Sequence, residues 1–131
     1  IGIENVWNRF LLSPLETRRF LDEISSDYVG MYLDVGNAVY IGYPEQWIEI
    51  LGHRIKKLHM SDYRFDQAGI GAFVDLFAGD VDFPAVAKAI AGIGYDDYIT
   101  LEMLPNYKQF PEVSLYADKY AMNKIIEMIH L

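Results

Sequence analysis

The sequence contains no cysteine. Disulfides, thiolate nucleophiles and cysteine-based zinc sites are therefore excluded, and any metal must be held by oxygen and imidazole. No apolar run approaches the roughly 20 residues that cross a bilayer, and the first residues lack the basic-then-apolar order of a secretion signal. No membrane partner is expected, and the cytoplasm is the default location. Positive charge is scarce as well: 11 basic against 19 acidic side chains leave a net charge of -8. Nucleic-acid binding relies on a basic face that neutralises phosphates, so a nucleic-acid partner is disfavoured. Gly-x-Gly-x-x-Gly is missing after the first strand-like segment and Gly-x-x-x-x-Gly-Lys occurs nowhere, which leaves a nucleotide-binding sheet with little support.

What is present is a chain of 131 residues, 52% hydrophobic and 15% aromatic. This lies within single-domain size and suffices for a core. It opens without Met on Ile1-Gly2-Ile3-Glu4-Asn5-Val6, already strand-like, and is expected to be a piece of something longer. Ser13-Pro14-Leu15-Glu16 supplies an N-cap, a Pro at the first helical position and a capping Glu, which predicts a helix from Pro14 to Ile24. Tyr28 to Leu33 is an apolar run ending at Asp34 and a Gly36-Asn37 turn, the pattern of a strand buried on both faces. Pro44 to Leu51 places Trp47, Ile48 and Leu51 on one helical face before Gly52. A third strand spans Ile55 to Met60, and Ser61 to Val81 reads as a long loop whose Gly69-Ile70-Gly71 could act as a mobile cover. Asp82 and Pro84 begin a helix with Val86, Ala89, Ile90 and Ile93 facing inward. Tyr98 to Leu101 is the fourth strand. Pro111 to Ile129 is a closing helix with Val113, Tyr116, Tyr120, Met122, Ile125, Ile126 and Ile129 available for packing.

Strand and helix alternate four times, which implies a parallel α/β sheet with right-handed crossovers. A doubly wound sheet or part of a barrel satisfies this order. A complete (β/α)8 TIM barrel takes about 250 residues, so four βα units over residues 1–131 amount to half of one.

Each strand contributes one ionisable residue at or near its C-terminal end: Glu4, Asp34, His59 and Glu102. In a parallel barrel the C-terminal strand ends converge on the active site. Singly, each has a plain structural explanation: a solvent-facing strand end or cap for the glutamates, an Asx-type turn for Asp34, a satisfied core imidazole for His59. Together, at four equivalent positions, they form a mixed oxygen and nitrogen set suited to Mn, Mg or Co. Asn37 and Arg64 on the following loops could reach a substrate oxygen or phosphate, and Trp7 could wall a sugar. Each could equally be a surface or core residue. His53 and His130 read as solvated.

The segments Ile3-Glu4-Asn5-Val6-Trp7-Asn8, Leu33-Asp34-Val35-Gly36-Asn37, Lys57-Leu58-His59-Met60-Ser61-Asp62, Gly79-Asp80-Val81-Asp82-Phe83-Pro84, Ile93-Gly94-Tyr95-Asp96 and Thr100-Leu101-Glu102-Met103 together resemble the sugar phosphate isomerase/epimerase family. These are xylose-isomerase-like TIM barrels that include ketose 3-epimerases and hexulose-6-phosphate isomerases, and the similarity covers the C-terminal half of that barrel. The resemblance implies a divalent metal, Mn foremost, on Glu4, Asp34, His59 and Glu102. It also implies a proton-transferring pair in Glu4 and Glu102, and a small-molecule ketose or ketose phosphate as substrate. Where the 3-epimerase branch carries His three residues after the Asp and Arg six after the metal-binding His, this sequence has Asn37 and, one position early, Arg64. Proton transfer through a metal-stabilised enediolate gives isomerisation or epimerisation, and an inosose-dehydratase-like lyase or a noncatalytic truncated half-barrel are the alternatives. A four-stranded half-barrel leaves two open edges and an apolar inner face, which predicts a homo-oligomer, with little activity for the half alone.

Overall fold

The computed structural model describes residues 1–104 and 107–131. Four strands, β1 (Gly2–Glu4), β2 (Gly30–Asp34), β3 (Ile55–Met60) and β6 (Ile99–Leu101), form one parallel sheet in the order β1-β2-β3-β6. Between them run α1 (Pro14–Ile24), α2 (Val35–Ile41), α3 (Pro44–Leu51) and α4 (Phe83–Gly92), and α5 (Glu112–Ile129) follows β6. A short antiparallel pair, β4 (Asp62–Tyr63) and β5 (Phe73–Val74), stands apart from the sheet. The expected partial barrel of four βα units is the architecture found.

Local chemistry explains the helix starts. The Ser13 hydroxyl accepts the Glu16 N–H at 3.2 Å and Pro14 occupies the first helical turn, so α1 begins where its cap predicts. Asp82 does the same for α4 through the Ala85 N–H at 3.0 Å. Trp47, Ile48 and Leu51 of α3 are buried as expected, and with Val86 and Ile90 of α4 and Ile125 of α5 they cover Met31, Leu33, Leu58 and Met60. The sheet's buried apolar side chains, Met31, Leu33, Ile55, Leu58 and Met60, lie on this helix-covered face. Burying one such side chain is worth about 1.5–3 kcal/mol, so this layer carries the fold.

The other face departs from expectation. Glu4, Tyr32, Lys57 and His59 are half-buried and Thr100 is exposed there. The open face is thus polar and aromatic rather than aliphatic, and β2 is not an apolar strand on both sides. Tyr28 lies outside the strand and is exposed. The register pairs Met31 with Ile55 and Tyr32 with Lys57, so Lys56 is an extra residue. The bulge lets Ile55 join the buried core while Lys57 and His59 fall beside Tyr32 and Asp34.

Three further differences have physical causes. The expected Gly36-Asn37 turn is the first turn of α2, because the Asp34 carboxylate accepts the Asn37 N–H at 2.5 Å and caps a helix directly on the strand end. The segment 61–81 is not structureless. Asp62 accepts the N–H groups of Tyr63, Gly79 and Val81 at 2.9, 2.8 and 3.1 Å and folds it back on itself. Gly79 permits that approach, since a Cβ there would stand 2.3 Å from the Asp62 carboxylate. Finally, α5 buries Ser114, Asp118, Ala121, Met122 and Ile125, leaving Val113, Tyr116, Tyr120 and Ile126 exposed.

Candidate metal centre

Glu4, Asp34 and His59 stand at or next to the last residue of β1, β2 and β3, and Glu102 directly follows β6, with its N–H bonded to the Met60 carbonyl at 2.9 Å. Parallel pairing aligns Asp34 with His59 and Thr100 with His59, so the side chains of the four strand ends share the open face. One ligand atom from each of Glu4, Asp34, His59 and Glu102 lies within 4.8 Å of the others. Ligands held at ~2.0–2.4 Å by one cation stand up to ~4.0–4.8 Å apart, so the span suits a shared ion.

Asp34 is 1% exposed. Burial pushes its carboxyl up to about 7, with the nearby Glu102 charge in the same direction. The Asn37 N–H, the Ser61 hydroxyl and His59 oppose the shift. His59 Nδ1 is 2.9 Å from Glu4 Oε1 and 2.7 Å from Glu102 Oε2. A single ring nitrogen thus faces two carboxylates, and one proton cannot serve both fully. Tyr32 flanks the imidazole with ring centroids 4.1 Å apart. Three carboxylates around one imidazole, the deepest of them penalised by burial, make a donor set that a divalent cation would neutralise. The residues therefore fit a metal ion.

Beside the quartet lies a cavity of about 160 Å3, lined by Asp34, Asn37, Ile70, Phe73, Val74, Glu102, Met103 and Leu104. Of the residues expected to touch substrate, Asn37 lines this cavity. Trp7 does not, but its ring stacks on Phe73 at 5.5 Å and contacts Tyr40 at 4.8 Å, within an aromatic cluster behind the wall. Arg64 bonds Asp66 through Nε at 2.9 Å and borders a separate cavity with Phe65, Ala78 and Asp80. The structure thus brings Glu4, Asp34, His59, Glu102 and Asn37 together, sets Trp7 one ring away, and leaves Arg64 outside the group. Ile70 of the segment proposed as a cover is exposed at the rim.

Two buried polar residues that sequence reasoning passed over also belong to the site. Asn5 bonds both the N–H and the carbonyl of Asp34, each at 2.8 Å. Ser61 Oγ stands 2.9 Å from both Asp34 carboxylate oxygens. The only sequence signal for them is position, Asn5 directly after Glu4 and Ser61 two residues after His59.

A family model described as xylose isomerase-like TIM barrel matches residues 1–122. No curated protein matches the chain. Among solved structures, a D-tagatose 3-epimerase-like protein superposes with a TM-score of 0.79 at 21% identity, over 99% of this chain and 48% of its own. An IolI protein with a bound zinc atom does so at 0.74 and 19%, over 86% and 43%. The probable 3-DHS dehydratase AsbF of Bacillus anthracis gives 0.73 and 16%, over 94% and 49%. The chain spans about half the length of these structures, and at such identities the likeness is one of fold. Among the described residues, no helix is long and apolar enough to cross a membrane.

Proposed function

The chain belongs to the xylose isomerase-like TIM barrel family, and from that premise we propose that it carries the metal-binding and proton-transferring half of a divalent-metal-dependent isomerase or epimerase of a ketose or ketose phosphate. The observation that supports this reading best is the convergence of Glu4, Asp34, His59 and Glu102, whose ligand atoms lie within 4.8 Å of one another. Glu4, Asp34, His59 and Glu102 would hold the ion. Their oxygen-rich set favours Mn, with Mg or Co as substitutes, and the zinc named with the IolI structure is a further candidate.

A bound divalent cation would polarise a carbonyl and a neighbouring hydroxyl oxygen, lowering the cost of removing the proton from the carbon that bears the hydroxyl. The protein's own part is positioning and proton transfer. Glu4 and Glu102 come from the two edge strands and flank His59. Carboxylates reaching a sugar carbon from opposite sides would take a proton from one face and return one to the other, giving epimerisation. One carboxylate serving adjacent carbons would give isomerisation. Asp34, buried and capping α2, would anchor the ion, while Phe73, Val74 and Ile70 would shield the reacting carbons from water. Asn37 would bind a sugar hydroxyl and Trp7 would back the wall. Arg64 would serve a phosphate only after leaving Asp66.

The outer edges of β1 and β6 are unpaired among the described residues, and we propose that a second set of strands, from a further copy in the case of this chain alone, closes them. The chain alone would then bind metal with little turnover. A cytoplasmic location accords with a role in sugar metabolism. Turnover of ketoses and ketose phosphates, by this chain and by an eight-strand protein containing it, with Mn added after chelation, tests the reading. Mn-dependent interconversion by the larger protein is expected. No interconversion of any member of the panel would overturn the assignment, and release of water from a polyhydroxy ketone would move it to a lyase.

A further inference from the structure

Asp34 could turn its carboxylate by rotating about its side-chain torsions, and a ligand free to do so binds a metal less tightly than one already aimed. The backbone at this point is fixed: the Asn5 side-chain amide bonds both the N–H and the carbonyl of Asp34 at 2.8 Å, just beyond the last β1–β2 pair at Glu4 and Tyr32. Of the carboxylate, the Asn37 N–H holds Oδ1 at 2.5 Å, and what remains is its rotation about that contact. Ser61, 2% exposed, stands 2.9 Å from each Asp34 carboxylate oxygen and accepts the Gly36 N–H at 3.0 Å. Because its oxygen is engaged as an acceptor by Gly36, the hydroxyl hydrogen is directed at Asp34.

Gly36 makes this arrangement possible. A Cβ at this position would stand 2.4 Å from Ser61 Oγ, 3.1 Å from Phe73 Cε1 and 3.2 Å from the Ser61 backbone carbon. Glycine inside a helix is less stabilising than alanine, and its φ here is not in the left-handed region. Close approach, tightest from Ser61 and next from Phe73, rather than backbone conformation, is what the position requires.

We propose that Ser61, seated against Gly36, is a positioning residue that holds the Asp34 carboxylate in its metal-binding rotamer. The proposal rests on the metal-site reading above. Partners bonded to a metal ligand from behind typically change metal affinity by about 10–100-fold when removed. The test is calorimetric titration of Mn into the chelator-stripped chain, with the visible spectrum of the Co-loaded form as a second readout of ligand geometry. Ser61→Ala and Gly36→Ala should each weaken Mn binding by about 10–100-fold and shift the Co bands. The double variant should be no weaker than about the worse single one, since both changes remove the same contact. Gly36→Ala deletes no polar group, so it keeps the test decisive if Ser61→Ala folds poorly. Wild-type binding with unchanged affinity and spectrum in the variants overturns the positioning role alone. A wild-type chain that takes up no metal overturns the metal-site reading, and the positioning role with it.

Discussion

The β2 and β6 ends of the site hold their carboxylates in opposite ways. Asp34 is 1% exposed, caps α2, and receives hydrogen bonds from the Asn37 N–H and the Ser61 hydroxyl, with its backbone held by Asn5. The Glu102 side chain is 52% exposed, and its one described partner is His59 Nδ1. A carboxylate whose every freedom is taken suits a fixed ligand. One with room to move suits proton transfer, which needs a group that can approach and leave a carbon. On the proposed function, Asp34 would act as the fixed ligand, while Glu102 would both touch the ion and move the proton.

The largest effect that could break this contrast is at Asp34. Asp34→Ala should lower Mn affinity by more than about 100-fold, beyond what the loss of a supporting partner does, while Glu102→Ala should cost clearly less; equal losses in calorimetry would show that the two ends are equivalent. Next, Glu102→Gln keeps the shape of the side chain but not its basicity. Turnover by the eight-strand protein should fall about 10^2–10^4-fold with a far smaller change in metal affinity, and a normal rate would remove the proton-transfer role. A change in the core sharpens the contrast from the other side of the same strand: Leu33→Ala, beneath Asp34 in the helix-covered layer and fully buried, should cost about 2–5 kcal/mol in chemical denaturation.

The smallest expected effect concerns a third carboxylate, Asp118 of α5. It is as buried as Asp34 but accepts only the Leu76 N–H at 2.7 Å, and its Oδ2, like the neighbouring Ser114 Oγ, has no partner among the described residues. Burial, followed by the charges of Asp75 and Asp62, raises its carboxyl above the usual range. A raised carboxylate binds its proton more tightly in the folded state. Its contribution to stability is therefore fully present below the unfolded pKa and is lost as pH rises through the folded one. Asp118→Asn removes the titration, so its thermal midpoint should gain on wild type as pH is raised from the carboxylate range towards neutral. A constant difference across that range would show that Asp118 does not titrate differently on folding.

Much of this was legible in the sequence where local chemistry decides the outcome. Pro14–Ile24, Pro44–Leu51 and Ile55–Met60 have the bounds their caps and apolar spacing predict. The four strand-end residues were legible as a group because a parallel barrel directs consecutive strand ends to one mouth. Long-range contacts hid the rest. Gly36 and Asn37 carry turn chemistry, yet the Asp34 cap makes them helical, and Gly36 serves a serine 25 positions away. The exposed stripe of α5 shows the same limit. Tyr116 and Tyr120 carry large apolar surface, but Ser114 and Asp118 face the interior because Asp118 anchors the Leu76 backbone. Asn5 and Ser61 carry no periodicity at all, and only their placement beside ligand positions marks them.

The central claim is that four strand ends form one divalent-metal site. Titrating Mn into the chelator-stripped chain, wild type beside His59→Ala, tests it most directly. The account predicts one saturable site per chain in the wild type and its loss in the variant. Absence of saturable binding in the wild type, or equal affinity in His59→Ala, would contradict it.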